Sequence, residues 1–309
     1  MKTANILSID GGGIKGILPL MQLVELEKML KAPLSEHFDY ISGTSTGGII
    51  AVLLSIGYNA DEILNLYVQY GDQIFQKEFL RFGIFRTKYD DNNFNNIIDE
   101  YVKNKHLTDC KTSILIPAYN ASKNKLELFK HNVNRKYEYW QEDLPLFDVI
   151  RSTASAPSFF KPWIINGDKY IDGGLVVNNP SQMTMLEAMK DGFDKINILS
   201  FSTGSIEKPI TNKLSKSGML GWAEPTVDIL LSEMTQTTDY ILEHLFNSAP
   251  SFMGRRLGLY IRCNSLISKS SGKLDDVSKL NIRNMIDDGK ESARINKEKM
   301  RAFYINTLK

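Results

Sequence analysis

The stretch NILSIDGGGIKG, residues 5–16, decides how this chain folds. Residues 5–9 are typical of a short buried strand, and an apolar helical pattern follows from Ile17 to Leu30. Consecutive glycines between a strand and a helix let backbone N–H groups converge on one point. The helix N-terminus adds a partial positive charge there. The pattern therefore predicts an anion site, whose residues are Gly11, Gly12, Gly13, Lys15 and Gly16.

The residues alone leave the identity of this anion open. Gly11, Gly13 and Gly16 fit the Gly-x-Gly-x-x-Gly spacing of dinucleotide sites, which also have an acidic residue about 20 positions further on. Here the next strand ends in Ser-Gly-Thr-Ser at 42–45, without an acid, and this disfavours a dinucleotide. The oxyanion of an acyl transfer and a tight turn without a ligand remain as alternatives.

The second motif is Gly-Thr-Ser-Thr-Gly at 43–47, again between a predicted strand and a predicted helix. This context is typical of a nucleophile elbow, in which a serine sits on a sharp turn above a sheet. The small residues Gly43 and Gly47 let the backbone make that turn without a side-chain collision. Ser45 is therefore the predicted nucleophile, and a Gly/Ser-rich turn without chemistry is the alternative.

A serine nucleophile needs a base, and the histidines are poor candidates for it. The chain order Ser45, Asp172, His244 matches an α/β-hydrolase triad. However, His244 lies within a helical pattern, and Ser45 follows only the second predicted strand. The remaining histidines lie beside polar or charged residues and are interpreted as solvated surface: His37, His106 and His131. The base is then expected to be a carboxylate.

The third motif is Asp-Gly-Gly at 172–174, after the short apolar segment 169–171. Asp-Gly is also the strongest short hairpin signal, so this motif alone indicates only a turn. Its meaning depends on the two motifs that precede it.

In this order, the three motifs resemble the patatin-like phospholipase family. The family's signature is an Asp-Gly-Gly-Gly-x-Arg-Gly loop, a Gly-x-Ser-x-Gly elbow and a downstream Asp-Gly-Gly or Asp-Gly-Ala, matched here at 10–16, 43–47 and 172–174. The likeness spans at least residues 5–204, and the chain looks similar to the plant patatins and their bacterial relatives. Lys15 departs from the family's usual Arg. A charge effect could survive that change, but a bidentate contact could not.

The resemblance implies a catalytic pair of Ser45 and Asp172, with an oxyanion site on the three consecutive glycines 11–13. It implies a lipid acyl hydrolase of the phospholipase A type that works through an acyl-enzyme, without a cofactor or a metal. Gly173 and Gly174 complete the matched motif. The implied fold is a variant of the hydrolase-type three-layer sandwich.

Three other functions are alternatives to a lipid acyl hydrolase. A soluble carboxylesterase would use the same residues on short-chain substrates. A membrane-degrading effector would be switched on by a cyclic nucleotide bound in the loop 204–224 or in the tail beyond 265, although no nucleotide signature is visible. A binding module without activity is disfavoured because both Ser45 and Asp172 are present.

The remaining periodicity predicts an α/β fold. Strands alternate with helices, which indicates a mainly parallel sheet flanked by helices. Residues 71–92 and 204–224 are expected to be loops over a site, and residues 1–309 are expected to form one domain with a helical segment at about 265–309. The predicted strands are 38–42, 113–119, 125–129, 195–201 and 259–262. The predicted helices are 49–56, one capped by Asp61, 94–102, 147–153, 227–246 and 277–305.

The amino-acid composition limits the kinds of partner and the cellular compartment that are expected for this chain. The chain of 309 residues carries a net charge of +1, so no strong field selects a nucleic acid polymer. Two cysteines favour a reducing compartment. The longest apolar run, 47–57, is too short to span a bilayer, and Asp10 interrupts the apolar N-terminus too early for a signal peptide. A cytoplasmic protein is expected, with peripheral contact to a membrane surface left open. The oligomeric state is not predicted.

Two aromatic patches could line an acyl tunnel or dip into a bilayer interface, and ordinary core packing is the alternative for each. One is the apolar, aromatic loop 79–85, with Arg81 and Arg86 at its edges, whose apolar members are Phe79, Leu80, Phe82, Ile84 and Phe85. The other comprises Phe159, Phe160 and Trp163. Membrane lipids or other lipid esters are the expected substrates.

Overall fold

A computed structural model of the protein describes residues 1–75, 87–133, 144–204 and 219–308. Within these ranges, nine strands form one sheet. The strands are β1 Thr3–Ile9, β2 Tyr40–Gly43, β3 Ser113–Asn120, β4 Lys125–His131, β5 Trp163–Ile165, β6 Asp168–Asp172, β7 Lys195–Phe201, β8 Ser251–Phe252 and β9 Arg255–Cys263.

The centre of the sheet is parallel and its margins are antiparallel. The order is β5-β6-β3-β2-β1-β7-β9-β8, and β4 also pairs with β3. The pairs from β3 through β2, β1 and β7 to β9 are parallel. Those that involve β4, β5, β6 or β8 are antiparallel. The predicted α/β class with a mainly parallel sheet is confirmed.

Eight α-helices of the described ranges flank this sheet. They are α1 Ile17–Leu30, α2 Thr46–Ser55, α3 Ala60–Ile74, α4 Asp91–Val102, α5 Leu146–Ala154, α6 Ser181–Lys190, α7 Met219–Ser248 and α8 Lys279–Phe303.

Two apolar cores lie on opposite faces of the sheet, because alternate strand residues point to opposite sides. On β1, Leu7 and Ile9 join the larger core, to which α1, α2, α3, α4, α5 and α8 contribute. Ile6 joins the smaller core with Met185 of α6 and Leu242 of α7. Burial on both faces is typical of parallel strands and explains their continuous apolar runs. The result is a helix–sheet–helix sandwich.

Two strands approach β3 from opposite directions along the same edge. β2 runs parallel to its first half, where Ser42 pairs with Leu115. β6 runs antiparallel to its second half and ends where Asp172 pairs with Ala118. The carboxyl ends of β2 and β6 therefore meet near the middle of β3, and the elbow that follows β2 lies beside Asp172.

Several predicted boundaries are wrong. Asn59, rather than Asp61, caps α3: its side chain accepts the Glu62 N–H at 2.9 Å, and the Glu62 carboxylate accepts the Asn59 N–H at 2.8 Å. This reciprocal capping box outweighs the isolated Asp, because it satisfies two N–H groups that the helix leaves unpaired. The expected loop 71–92 contains the end of α3 and the start of α4, and α7 begins at Met219 inside the expected loop 204–224. Helix α6 was not predicted.

The C-terminal helix α8 packs against α1 in the larger core. Met285, Met300 and Phe303 are fully buried there, and a side chain at Gly289 would come within 2.6 Å of Met21. Because the two ends of the chain share one core, we propose that residues 1–309 fold as a single unit. None of the described helices combines the length and the apolar character that a bilayer crossing needs.

Candidate active site

Ser45 lies on a strained turn between β2 and α2. Its φ is 54° and its ψ is −121°, a backbone conformation that is uncommon for a residue with a side chain. Thr153 of α5 supports the turn, because its hydroxyl accepts the Ser45 N–H at 2.9 Å and donates to the Pro117 carbonyl at 2.6 Å. Gly43 ends β2, and Gly47 lies in the first turn of α2. The predicted elbow geometry is present.

Gly47→Ala is expected to lower the free energy of unfolding by about 1–3 kcal/mol or more and to reduce activity. An added Cβ would lie 2.3 Å from the Ile9 carbonyl oxygen and 2.6 Å from that of Asp10, so the elbow must move. Urea unfolding and an ester assay would measure both effects. Gly192→Ala is the control, since its Cβ meets nothing within 4 Å and only its φ of 83° is unfavourable. An active, fully stable Gly47→Ala protein would contradict this reading of the turn.

Ser45 and Asp172 are in direct contact. The Ser45 hydroxyl donates to Asp172 Oδ2 at 2.6 Å, and the Gly174 N–H donates to Asp172 Oδ1 at 2.7 Å. Gly173 lies against the Pro117 carbonyl, 2.2 Å from where its Cβ would be. Burial raises the pKa of Asp172 to about 6, although the hydrogen bonds from Ser45 and Gly174 lower it. The carboxylate is thus mostly ionised at neutral pH and more basic than an exposed aspartate.

The glycine loop, residues 10–16, passes directly beside the elbow at 43–47. The Gly11 N–H donates to the Asn178 carbonyl at 3.1 Å, and the Ile14 N–H donates to the Leu274 carbonyl at 2.8 Å. Gly13 has a φ of 58°, a conformation that favours glycine. Between these two anchored N–H groups, Gly12 and Gly13 border the cavity that Ser45 also lines.

The two other predicted members of the loop face different neighbours. The Lys15 ammonium group donates to the Gly204 carbonyl at 3.0 Å, so it ties the loop to the segment after β7. Gly16 packs beneath the elbow, where an added Cβ would lie 2.6 Å from Thr46 Oγ1. Lys15 and Gly16 therefore support the loop and the elbow. Neither takes part in the contact between Ser45 and Asp172.

Sequence reasoning missed Arg262, the ionic partner of Asp10. Arg262, on β9, donates to both carboxylate oxygens of Asp10 and, at 2.6 Å, to Ser200 Oγ. Burial acts to lower the pKa of Arg262, but the charge and hydrogen bonds of Asp10 outweigh it and raise that pKa above its usual value. The detectable signal was a lone cation at the end of the apolar run 257–261. Arg262 holds the residue that begins the glycine loop.

Arg262→Met is expected to lower the free energy of unfolding by about 3–5 kcal/mol, because Asp10 would stay buried without a partner. Asp10→Asn combined with Arg262→Met should recover part of this loss. Urea unfolding of the two single variants and the double variant would measure the coupling. On the same strand, Arg255→Met removes a half-exposed pair with Asp194 and should change stability far less than Arg262→Met. If the losses of unfolding free energy in Asp10→Asn and Arg262→Met simply added up in the double variant, the two side chains would not be an energetically coupled pair.

Ser45 and Asp172 open onto an apolar cavity of about 100 Å³. Phe159 and Phe160 line it and also pack in the larger core, so both alternatives weighed for this patch apply to them. Trp163 does not line the cavity: it packs on Phe147 and donates to Asp148 at 2.8 Å. The predicted aromatic loop 79–85 lies outside the described residues. The other apolar lining residues are Ile14, Ile49, Leu66, Tyr67, Ile74, Phe75, Phe94, Ile98, Ala154, Ala156, Pro157, Leu175, Leu231 and Leu274.

No histidine is among the residues that line this cavity in the described part of the chain. His244 is exposed on α7, with Nδ1 2.9 Å from the Tyr240 carbonyl oxygen. The three other histidines, which were expected on the solvated surface, are only partly exposed: His37, His106 and His131. Within the same described ranges, no group of three or more His, Cys, Asp or Glu side chains could hold a metal ion.

Comparisons with known proteins identify relatives of this chain. The sequence model of the patatin-like phospholipase family matches residues 7–185. The chain is 28% identical to Patatin-T5 of Solanum tuberosum, over 93% of this chain and 82% of that protein. It is 27% identical to Patatin-like protein 2 of Oryza sativa subsp. indica, over 94% and 83%.

Solved structures also align with this chain. Human GIVD cytosolic phospholipase A2, in complex with methyl gamma-linolenyl fluorophosphonate, aligns with a TM-score of 0.47 and 10% identity, over 99% of this chain and 59% of that chain. VipD from Legionella pneumophila aligns with a TM-score of 0.45 and 12% identity, over 96% and 67%.

Proposed function

The chain belongs to the patatin-like phospholipase family, and on that premise we propose that it is a serine-dependent lipid acyl hydrolase of the phospholipase A type. Ser45 is the nucleophile and Asp172 is its base. The observation that carries the proposal is the 2.6 Å hydrogen bond between Ser45 Oγ and Asp172 Oδ2 at an apolar cavity. That contact joins a nucleophile to a proton acceptor where an acyl chain could be buried.

Acylation begins when Ser45 Oγ attacks the ester carbonyl carbon and its proton moves to Asp172 Oδ2. The carbonyl oxygen takes up negative charge. When the tetrahedral intermediate collapses, the bond to the alcohol oxygen breaks, and Asp172 returns the proton to that oxygen. The acyl group is then esterified to Ser45. The Gly174 N–H keeps the Asp172 carboxyl oriented throughout, because it binds the oxygen that does not carry the proton.

The developing oxyanion needs hydrogen-bond donors beside Ser45. Since the Gly11 N–H already donates to Asn178, we assign this role to the backbone amides of Gly12 and Gly13. Two fixed amides in a dry site stabilise the transition state more than the substrate, and losing one such donor lowers kcat by about 10²–10³-fold in other hydrolases.

Deacylation uses the same two side chains. Water now takes the place of Ser45 as the nucleophile, and Ser45 takes the place of the alcohol as the leaving group. A water molecule attacks the acyl carbonyl while Asp172 accepts one of its protons. The ester bond to Ser45 breaks, Ser45 Oγ recovers the proton from Asp172, and the fatty acid leaves. The enzyme returns to its starting state with one ester and one water consumed.

The cavity supports a fatty-acyl substrate over a small polar one. Its walls are mostly aliphatic and aromatic, while its polar groups, Ser45, Thr46, Asp172 and Asn178, include both reacting side chains. Apolar walls around a few convergent polar groups suit a ligand whose ester is polar and whose tail is not. Membrane lipids or lipid esters are therefore the proposed substrates.

A vesicle assay tests the proposal. Phosphatidylcholine vesicles are incubated with the wild-type protein or with Ser45→Ala, and released fatty acid and lysophospholipid are measured by mass spectrometry. We expect both products with the wild-type protein and neither with the variant. Equal product from both proteins would exclude Ser45 as the nucleophile.

Two alternative functions would use this same site. They are distinguished by extending the vesicle assay with a short nitrophenyl ester and with a cyclic dinucleotide panel. Rapid hydrolysis of a short nitrophenyl ester with no action on vesicles would favour a soluble carboxylesterase. Vesicle hydrolysis only after addition of a member of a cyclic dinucleotide panel would favour a switched effector. Of the expected sensor positions, 205–218 lie outside the described residues.

A further inference from the structure

The segment 264–278, here called the strap, connects β9 to α8 and crosses the glycine loop. Its Leu274 carbonyl accepts the Ile14 N–H at 2.8 Å, and Leu274 is among the residues that line the same cavity as Ser45. The contact is close, since a Cβ on Gly13 would lie 2.2 Å from the Leu274 oxygen. The strap therefore forms part of the active-site wall although it lies outside the family match at 7–185.

Helix α8 holds the strap in place. The buried Asp288 carboxylate accepts three consecutive backbone N–H groups, from Ser268, Lys269 and Ser270, at 3.1, 3.0 and 2.9 Å. Asn281 clamps the turn that carries Leu274. Its Oδ1 accepts the Ser271 N–H at 2.7 Å, and its Nδ2 donates to the Asp276 carbonyl at 2.6 Å. Both ends of that turn are thus fixed to one side chain.

The residue after Leu274 ties the strap to the aromatic wall of the cavity. Asp275 pairs with the Lys88 ammonium group and accepts the Tyr89 hydroxyl. The Tyr89 ring packs edge-on against Phe75 and stacks on Phe159, and both of those rings line the cavity. Leu274 therefore lies between two anchored points of the strap, the Ser271 N–H held by Asn281 and the Asp275 carboxylate held by Lys88 and Tyr89.

We propose that Leu274 is a specificity-determining residue, whose side-chain volume sets the length and bulk of the acyl chain that the cavity accepts. This inference rests on the proposed acyl hydrolase function. Because the carbonyl of Leu274 is fixed by Ile14, changing its side chain alters the cavity while leaving the backbone contact in place. The size of the side chain at position 274 should then change which acyl chain length is preferred and should leave the chemical steps at Ser45 unchanged.

Leu274→Ala and Leu274→Phe test the proposal on nitrophenyl esters of butyrate, octanoate and palmitate. Leu274→Ala should raise the ratio of kcat/KM for palmitate over butyrate, and Leu274→Phe should lower it, each by about 10-fold, the effect of roughly one methylene in an apolar pocket. Leu266→Ala is the matched control, because Leu266 is a partly exposed strap residue outside the cavity lining. It should keep the wild-type ratio.

Opposite shifts in the two variants support the proposal, since a merely structural effect would lower kcat/KM equally on all three esters. Wild-type ratios in both variants, with Ser45→Ala inactive, would overturn the role of Leu274 and leave the proposed function standing. An active Ser45→Ala protein would instead refute the proposed function. Leu274→Val replaces Leu274→Ala if thermal unfolding shows that the latter does not fold, and the same upward shift decides.

Discussion

Ser45→Ala is expected to lower hydrolysis of every ester substrate by about 10⁴-fold or more while the protein stays folded. The change removes the only atom that the proposed mechanism uses to form the acyl-enzyme. Substrate binding should survive, because the apolar walls of the cavity are untouched. Initial rates with a short nitrophenyl ester and far-ultraviolet circular dichroism would measure activity and folding together.

Ser42→Ala is the matched control for this prediction. Ser42 is a fully buried serine three residues earlier, on β2, and is not among the residues that line the cavity. It should retain most of the activity. If both serine variants lost activity equally, the loss would reflect damage to the elbow rather than removal of a nucleophile, and the assignment of Ser45 would fail.

Asp172→Asn is expected to lower kcat/KM by about 10³–10⁴-fold, because an amide cannot accept the Ser45 proton. In the wild-type protein, kcat/KM should fall about tenfold per pH unit below pH 6, since the pKa of Asp172 is about 6 and only the ionised carboxylate acts as a base. A pH–rate profile from about pH 4 to about pH 8 measures this limb. A flat profile across that range would contradict Asp172 as the base.

The same substitution should stabilise the protein at neutral pH. The pKa of Asp172 in the folded protein lies above its unfolded value of about 3.9, so the folded state binds this proton more tightly. The resulting stability is fully present below about pH 4 and is lost as the pH rises through about 6. Ionising the buried carboxyl therefore lowers stability by up to about 3 kcal/mol at neutral pH, and the amide variant avoids this loss.

Urea unfolding of Asp172→Asn at about pH 5 and about pH 8 measures this effect, and the gain over the wild-type protein should be larger at the higher pH. Asp168→Asn, the same change at the start of β6, is the control. Asp168 makes a partly exposed pair with Lys123 at 2.6 Å, so its loss should change neither activity nor stability by much. A variant less stable than the wild-type protein at the higher pH would refute this account of the buried carboxyl.

The local signals in the sequence were sufficient for the elements that carry the site. The glycines at 11–13 follow a strand and precede a helix, and Gly43 and Gly47 flank Ser45 in the same context. Such units depend on residues within about ten positions of one another, so periodicity and turn chemistry predict them directly. The same reasoning failed at α6 and at the start of α3, where tertiary packing and a reciprocal cap decided the boundaries.

The family resemblance paired Ser45 with Asp172, but local pattern could not show how they meet. That depends on β2 and β6 ending against the middle of β3 from opposite directions, a pairing order that no periodicity contains. The partnership of Asp10 with Arg262 and the reach of Leu274 over the glycine loop are likewise long-range. The basicity of Asp172 is long-range too, because it depends on everything that excludes water from the carboxyl.

Sequence alone thus determined which short segments could bear a nucleophile, an anion-binding loop and a carboxylate, because each of these is a local property of the backbone. Only the tertiary structure decided which side chains share a cavity, that Arg262 pairs with Asp10 at the start of the glycine loop, and how far the Asp172 carboxyl is desolvated. Distance and desolvation are properties of the packed whole.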